Sequence, residues 1–107
     1  MTTQAISPSI HVGTYPGTRL VNYDLRISPQ YLTNVITFKG LNEGYVTIRA
    51  RLIDNSNFEQ VINGEIDLSD SKTIRIDGYP IEELRFIMSQ TIAFTVEVRQ
   101  YTFRPVQ

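Results

Sequence analysis

The sequence predicts an all-β fold: an antiparallel, jelly-roll-like β-sandwich of about seven to eight strands, preceded by an irregular N-terminal arm. From residue 20 onward, apolar and polar residues alternate, and turn-forming residues interrupt the alternation about every 8 to 12 residues. No window of about 11 residues places apolar residues at helical spacing with helix formers between them. A sandwich is preferred over a closed barrel because an arm or another subunit can cover its edges.

Residues 1–19 are predicted to form the N-terminal arm, and residues 20–107 the sandwich domain. The first segment contains Ser, Thr, Gly and Pro throughout, and it shows no periodicity beyond the short stretch SIHV. An arm of this composition is ordered only when something holds it, either its own domain or a neighbouring chain.

Three strands are predicted at residues 20–27, 34–39 and 44–54. In the first strand, the apolar residues occupy positions of one parity and the polar residues the other, as on a half-buried strand. The third strand shows the same separation, with four apolar residues on one side and three polar residues on the other: Val46, Ile48, Ala50 and Leu52 against Thr47, Arg49 and Arg51.

The second half of the chain continues with shorter strands, predicted at residues 58–64, 65–68, 73–77, 84–89 and 91–103. Asn63 and Gly64 separate the first two of these, and an Asn-Gly pair readily supplies the positive φ angles of a tight hairpin. The last strand is the longest and the most regular, so we expect it to lie centrally in its sheet.

Composition restricts the functional classes. A chain of 107 residues with 41% hydrophobic and 20% charged residues is expected to form one globular domain. Its net charge of -1 gives no general attraction to nucleic acid or to anionic membranes. Without cysteine there is no disulfide, thiolate nucleophile or Cys-based zinc site. Neither a signal peptide nor a transmembrane segment is expected.

No residue pattern indicates catalysis, a metal ion or a cofactor, so we expect a protein that is not an enzyme. His11 is the single histidine, and the sequence places no Ser or Asp beside it as a triad would require. Residues 54–57 and 67–71 contain Asp, Asn and Ser that could supply oxygens to calcium. Such residues more commonly cap their own turns.

The polar sides of the strands suggest a contact surface. Eight of the ten cationic residues are Arg, which protein interfaces favour over Lys. Candidates for docking onto an acidic partner are the outward-facing Arg49, Arg51, Arg75, Arg99 and Tyr101. The alternative is that these arginines form ion pairs within the domain, since Asp77 and Glu97 stand two residues from Arg75 and Arg99.

Residues 44–101 show a recurring order of features: a strand, a polar turn, a Phe that opens a short hairpin, and three short motifs. The motifs are I-x-I-x-G at 74–78, LRF at 84–86 and V-x-V-x-Q at 96–100. This part, about 60 of the 107 residues, resembles small β-sandwich structural proteins of tailed bacteriophages, the decoration or accessory proteins of the virion. The resemblance implies a non-enzymatic virion component that is assembled in the host cytoplasm.

Within that class, the preferred expectation is a capsid decoration or cement protein that contacts the major capsid protein and copies of itself. The arm residues expected at the interface are Ile6, Ile10, His11, Val12 and Tyr15. A small neck, tail or head-fibre component is the alternative within the virion. A carbohydrate-binding module is the alternative outside it, with its sugar platform built from the loop tyrosines Tyr15, Tyr31, Tyr45 and Tyr79.

Overall fold

The computed structural model describes residues 2–5, 9–15, 17, 22–40, 43–62, 64–69, 72–89, 93–101 and 103–106. In this part of the chain every regular element is a β-strand, as the alternation predicts. The strands are β1 (Thr2–Ala5), β2 (Ser9–Tyr15), β3 (Asn22–Arg26), β4 (Thr33–Lys39), β5 (Tyr45–Leu52), β6 (Glu59–Gln60), β7 (Ile66–Asp67), β8 (Thr73–Asp77), β9 (Ile81–Met88), β10 (Phe94–Tyr101) and β11 (Phe103–Val106).

Two antiparallel sheets form the sandwich. One has the strand order β2-β10-β4-β8, and the other has the order β3-β9-β5-β6, with β7 also paired to β5. Successive long strands alternate between the two sheets, so the chain crosses the sandwich repeatedly. This is the arrangement of a jelly roll, which confirms the predicted fold class. A separate two-stranded ribbon joins β1 to β11.

The pairing register shows how the jelly roll is built. The chain folds back on itself as one long antiparallel hairpin, and that hairpin then rolls up into two layers. Toward the tip of the hairpin, residue numbers rise in its first half and fall in its second half. The pairs are Thr2 with Val106, Ser9 with Gln100, Asn22 with Ile87, Thr33 with Asp77, and Arg49 with Gln60. The two chain ends therefore lie together in the ribbon.

The core lies between the two sheets and is formed by the inward side of each strand. An aromatic cluster fills one end of it, with ring centroids between 5.2 and 6.4 Å apart: Tyr15, Tyr23, Phe38, Phe86 and Phe94. Aliphatic side chains from β4, β5, β9 and β10 fill the remainder, and most of them are fully buried. Their packing supplies the main stabilisation of a fold that has no cysteine.

The predicted faces of the two best-patterned strands are confirmed. Val46, Ile48 and Ala50 on β5 are fully buried, and so are Val96 and Val98 on β10. β10 pairs with β2 on one side and with β4 on the other, so it lies inside its sheet as expected for the most regular strand. The alternation predicts these faces because successive side chains of a strand point to opposite sides.

The N-terminal segment differs from the expected irregular arm. Residues 9–15 form the edge strand β2, and residues 2–5 form the strand β1. Only the stretch SIHV at residues 9–12 shows strand periodicity, but β10 offers this segment a complete edge of backbone hydrogen-bonding groups along Ser9 to Tyr15. Ile6 and the boundary between residues 19 and 20 lie outside the described residues.

Within the described ranges, none of the elements is a helix with the length and apolarity needed to cross a lipid bilayer.

Candidate interaction surfaces

His11 lies on β2, and its Nε2 atom is 3.1 Å from the hydroxyl of Ser9. The sequence-based expectation that no serine lies beside it is wrong, because residues two apart on a strand project to the same side. Among the described residues no carboxylate bonds this imidazole, and no three His, Asp or Glu side chains converge as metal ligands would. A Ser–His contact of this kind lacks the acid that orients the base of a hydrolytic triad.

The two polar turns bond to themselves, as the turn-capping interpretation predicts. The backbone N–H of Asn57 donates to the side chain of Asn55 at 3.1 Å. The hydroxyl and backbone N–H of Ser69 donate to the carboxylate of Asp67 at 2.7 and 3.0 Å. These bonds, chiefly the one from the hydroxyl, lower the pKa of Asp67. Of the side chains considered for calcium, Asn55 and Asp67 therefore accept hydrogen bonds within their own turns, while residues 70–71 lie outside the described residues.

The outer side of the sheet β2-β10-β4-β8, hereafter the four-stranded face, contains three of the predicted contact residues. Arg75, Arg99 and Tyr101 all project there from β8 and β10. The register aligns Ile10, Arg99, Val35 and Arg75 in one row across the four strands. These three residues face outward, as the alternation predicts, and they share one face of the domain; their role in docking stays a prediction.

The charged groups of the four-stranded face form ion pairs with each other. Glu97 accepts from Arg99 at 2.6 Å and from Lys39 at 2.8 Å, while only 11% of its side chain is exposed. These two cations, Lys39 first, lower the pKa of Glu97. Arg75 bonds Asp77 at 2.8 Å. The ion-pair alternative therefore describes Arg75 and Arg99 in this structure, and both bonds run along a strand rather than across to a neighbour.

Arg49 and Arg51 lie on the opposite side of the molecule, on the outer side of the sheet formed by β3, β9, β5 and β6. Arg51 bonds Glu82 and Glu83, each at 3.2 Å, and the bond to Glu83 is the main cause that raises the pKa of Arg51. The five predicted outer-face residues therefore do not form one docking surface. The strand alternation placed each residue outward, but it could not say which strands share a sheet.

Arg85 on β9 is a residue that the sequence reasoning did not single out. It lies directly opposite Arg49, forms two hydrogen bonds with Asp24 at 2.8 and 3.0 Å, and places its guanidinium 3.9 Å from the centre of the Phe58 ring. The Asp24 carboxylate raises the pKa of Arg85. These contacts connect β3, β9 and the segment before β6 on the outer surface.

The β2 edge, residues Ser9–Tyr15, has an unusual exposed side. Ile10 is 51% exposed and Val12 is 61% exposed, and both project onto the four-stranded face. The strand contains no Asp, Glu, Lys or Arg. No described strand pairs with the side of β2 that faces away from β10. Of the predicted arm contacts, Ile10 and Val12 are therefore available to a partner, and His11 is partly so.

Tyr15 belongs to the core instead of the predicted interface. Only 2% of it is exposed, and its ring packs 5.2 Å from the ring of Phe94. The periodicity of β2 explains this, since Tyr15 shares its side with Gly13 and His11. Burial also removes Tyr15 from the proposed sugar platform.

The side chain of Gln100 forms a buried polar network that the sequence reasoning did not predict. Its amide donates to the backbone oxygen of Ser28 and to the side-chain oxygen of Asn34, both at 2.8 Å, and its own oxygen accepts from the backbone N–H of Ser28 at 2.9 Å. The network connects β10 to the chain after β3. The Gln of the V-x-V-x-Q motif is thus a structural residue.

No model of a known protein family matches the sequence, and a search of the curated proteins finds no match. The resemblance to phage structural proteins stays a prediction from the sequence motifs.

Proposed function

We propose that this protein is a non-enzymatic structural component of a tailed-bacteriophage virion, and specifically a capsid decoration or cement protein. The observation that supports this best is the β2 edge, a seven-residue strand without a charged side chain that exposes Ile10 and Val12. Soluble monomers normally protect a long sheet edge with charge, and an unprotected edge is a template for pairing with another chain. The motif resemblance assigns that pairing to a virion.

The mechanism is physical. A subunit that covers its β2 edge on a neighbour forms main-chain hydrogen bonds and removes apolar area from water at about 25 cal/mol per Å². Each such contact is small, but many identical contacts around a symmetric shell act together.

The Arg surface contributes less to this proposal than the sequence suggested. Arg51, Arg75 and Arg99 each bond carboxylates of their own chain, so docking on an acidic partner would have to break those pairs. We therefore place the partner contact at the β2 edge and not on the arginines.

A carbohydrate-binding module remains the second candidate, because Tyr45 is 48% exposed and Tyr79 is 39% exposed. The register argues against one shared platform. Tyr45 precedes Val46, which pairs with Met88, whereas Tyr79 precedes Ile81, which pairs with Leu52 at the other end of the same strands. Tyr45 and Tyr79 therefore do not share a platform. Tyr31, which is half-buried, is next to Leu32, and the backbone oxygen of Leu32 accepts from Gly78 in the loop of Tyr79.

The direct test of the proposed function is mass spectrometry of phage particles purified by density gradient from the host that produces this protein. We expect the protein in the particles, at a copy number in a fixed ratio to the major capsid protein. Its absence from particles that contain all other structural proteins would overturn the proposal. Titration of the purified protein with simple polysaccharides tests the second candidate, and saturable binding that Tyr45→Ala or Tyr79→Ala abolishes would support it.

A further inference from the structure

The four edges of the two sheets differ in how they are protected. β8 exposes Arg75 and Asp77 along its length, and β3 exposes Asp24 and Arg26. The remaining edge consists of β6 and β7, which are two residues long each. Charged side chains and short strands both oppose edge-to-edge pairing. The β2 edge has neither protection, which distinguishes it from the other three.

We propose that the β2 edge pairs with the β2 edge of a second copy of this chain, antiparallel and around a two-fold axis through His11. The two four-stranded sheets would then form one continuous sheet of eight strands. This inference deepens the proposed function by naming the partner of the β2 edge. An isologous contact of this kind needs a strand that is compatible with itself, and a strand without charged residues meets that condition.

The two exposed apolar residues of β2 select the register. With His11 on the axis, Ile10 lies opposite Val12 of the second copy. Because Ile10 pairs with Arg99 and Val12 with Glu97, a row across the seam reads Arg99, Ile10, then Val12 and Glu97 of the second copy. Two apolar side chains meet in the middle, and the two-fold axis repeats this contact, so all four exposed apolar side chains are paired.

The neighbouring register, with Val12 on the axis, is less favourable. It places Val12 opposite its own copy, so the row across the seam begins and ends with Glu97. It also places Ile10 opposite Thr14, which separates the two exposed apolar residues of the strand. The mixed apolar–polar pair, which occurs twice around the axis, disfavours this arrangement.

Cysteine cross-linking tests the pairing, and the natural chain contributes no thiol. Hydrogen-bonded and non-hydrogen-bonded pairs alternate along an antiparallel ladder, and side chains come closest in the non-hydrogen-bonded pairs. In the proposed register one of two samples must therefore form disulfide-linked dimers on mild oxidation. The first is His11→Cys alone, and the second is an equal mixture of Ile10→Cys and Val12→Cys proteins.

We expect one of those samples to give at least about tenfold more dimer than Ile10→Cys alone, or than Thr73→Cys, which places a thiol on the β8 edge of the same sheet. Dimer formation by Val12→Cys alone would overturn the register. No dimer above the Thr73→Cys level in either sample would overturn the pairing. Circular dichroism of each reduced variant verifies that it is folded.

A second measurement needs no cysteine. Sedimentation equilibrium over a concentration series should show a monomer–dimer equilibrium for the natural protein. Val12→Lys should weaken it by at least about tenfold, because a charged side chain then replaces the apolar partner of each Ile10 at the seam. The dimerisation measurements do not depend on whether the protein is a virion component. Dimerisation of a protein that is absent from particles would overturn only the proposed function, and incorporation of a protein that does not dimerise would overturn only the β2 pairing.

Discussion

β2 and β8 are the two edges of the same sheet, yet they present opposite surfaces. β8 exposes Arg75 and Asp77, whose side chains bond each other at 2.8 Å. β2 has no charged residue and exposes Ile10 and Val12 instead. Both strands satisfy their inward backbone groups against a neighbour, so pairing inside the domain does not explain the difference. The contrast indicates that the β8 edge is suited to contact with water, whereas the β2 edge is suited to contact with a partner chain.

The two edges are also attached differently. Ile76 anchors β8 in the core with 4% exposure, and loop hydrogen bonds to Lys72 and Gly78 secure both of its ends. β2 is anchored by the buried ring of Tyr15, by its pairing with β10 and by the ring of Tyr23, which lies directly over Gly13 and connects it to the other sheet. Both edges are therefore held in the core, β2 by aromatic contacts and β8 by an aliphatic side chain and loop hydrogen bonds.

The largest loss of stability should come from a substitution that weakens both β2 and β8. Gln100→Leu leaves the backbone groups of Ser28 and the amide oxygen of Asn34 without their partner, so we expect a loss of about 2–4 kcal/mol in the free energy of unfolding. Urea denaturation measures it. Hydrogen exchange should show β2 and β8 losing protection together, and a loss confined to one edge would contradict this reading of the network.

Gly13→Ala should destabilise β2 and leave β8 largely unaffected. A Cβ at this position would overlap the hydroxyl and ring of Tyr23, so we expect a loss of about 1–3 kcal/mol in the free energy of unfolding, with hydrogen-exchange protection lost mainly in β2. The double variant with Tyr23→Leu provides the control, because alanine should then cost much less than it does beside the tyrosine. An equal cost in both backgrounds would show that contact with Tyr23 is not the cause.

Removing the charged side chains of β8 should allow this edge to pair with a second copy, as proposed for β2. In a Val12→Lys background, the further changes Arg75→Val and Asp77→Thr should restore concentration-dependent association, now through β8. Sedimentation velocity measures the association, and the Val12→Lys single variant is the monomeric reference. A variant that stays monomeric over the same concentrations would show that charge is not what protects this edge.

The smallest effect should be the acid sensitivity of the ion pairs beside the edges. Lys39 and Arg99 lower the pKa of Glu97, and the hydroxyl of Thr33 followed by Arg75 lowers the pKa of Asp77. A carboxylate with a lowered pKa contributes stability above its unfolded-state pKa, and that contribution is lost as the pH falls through the folded-state value. Stability should therefore decrease between about pH 5 and about pH 2.

Glu97→Gln should make this part of the stability–pH curve flatter, as followed by thermal denaturation. Asp54→Asn is the matched control, because Asp54 lies in an exposed turn with a φ of 63° that Asn also tolerates. An unchanged acid slope in Glu97→Gln would show that this carboxylate does not carry the dependence.

Much of the fold was predictable because strand alternation is a local property. The faces of β5 and β10 and the central place of β10 were all inferred from period-two patterns, and the structure confirms them. The full length of β2 was not predicted because the periodic stretch SIHV is short and Gly and Thr follow it; pairing with β10 and the burial of Tyr15 define the strand. The candidate surface was predicted in part: Ile10 and Val12 are exposed, but Tyr15 is core.

The sequence by itself determined the all-β class, the inward and outward sides of the strands, and the absence of any thiol chemistry, since these depend on residue type and on spacing along the chain. Only the tertiary structure decided which strands share a sheet, that Arg49 and Arg75 lie on opposite faces, and that β2 is an edge without protection. The reason is physical. Alternation sets the direction of each side chain, but strand neighbours come from long-range pairing, which a single strand does not encode.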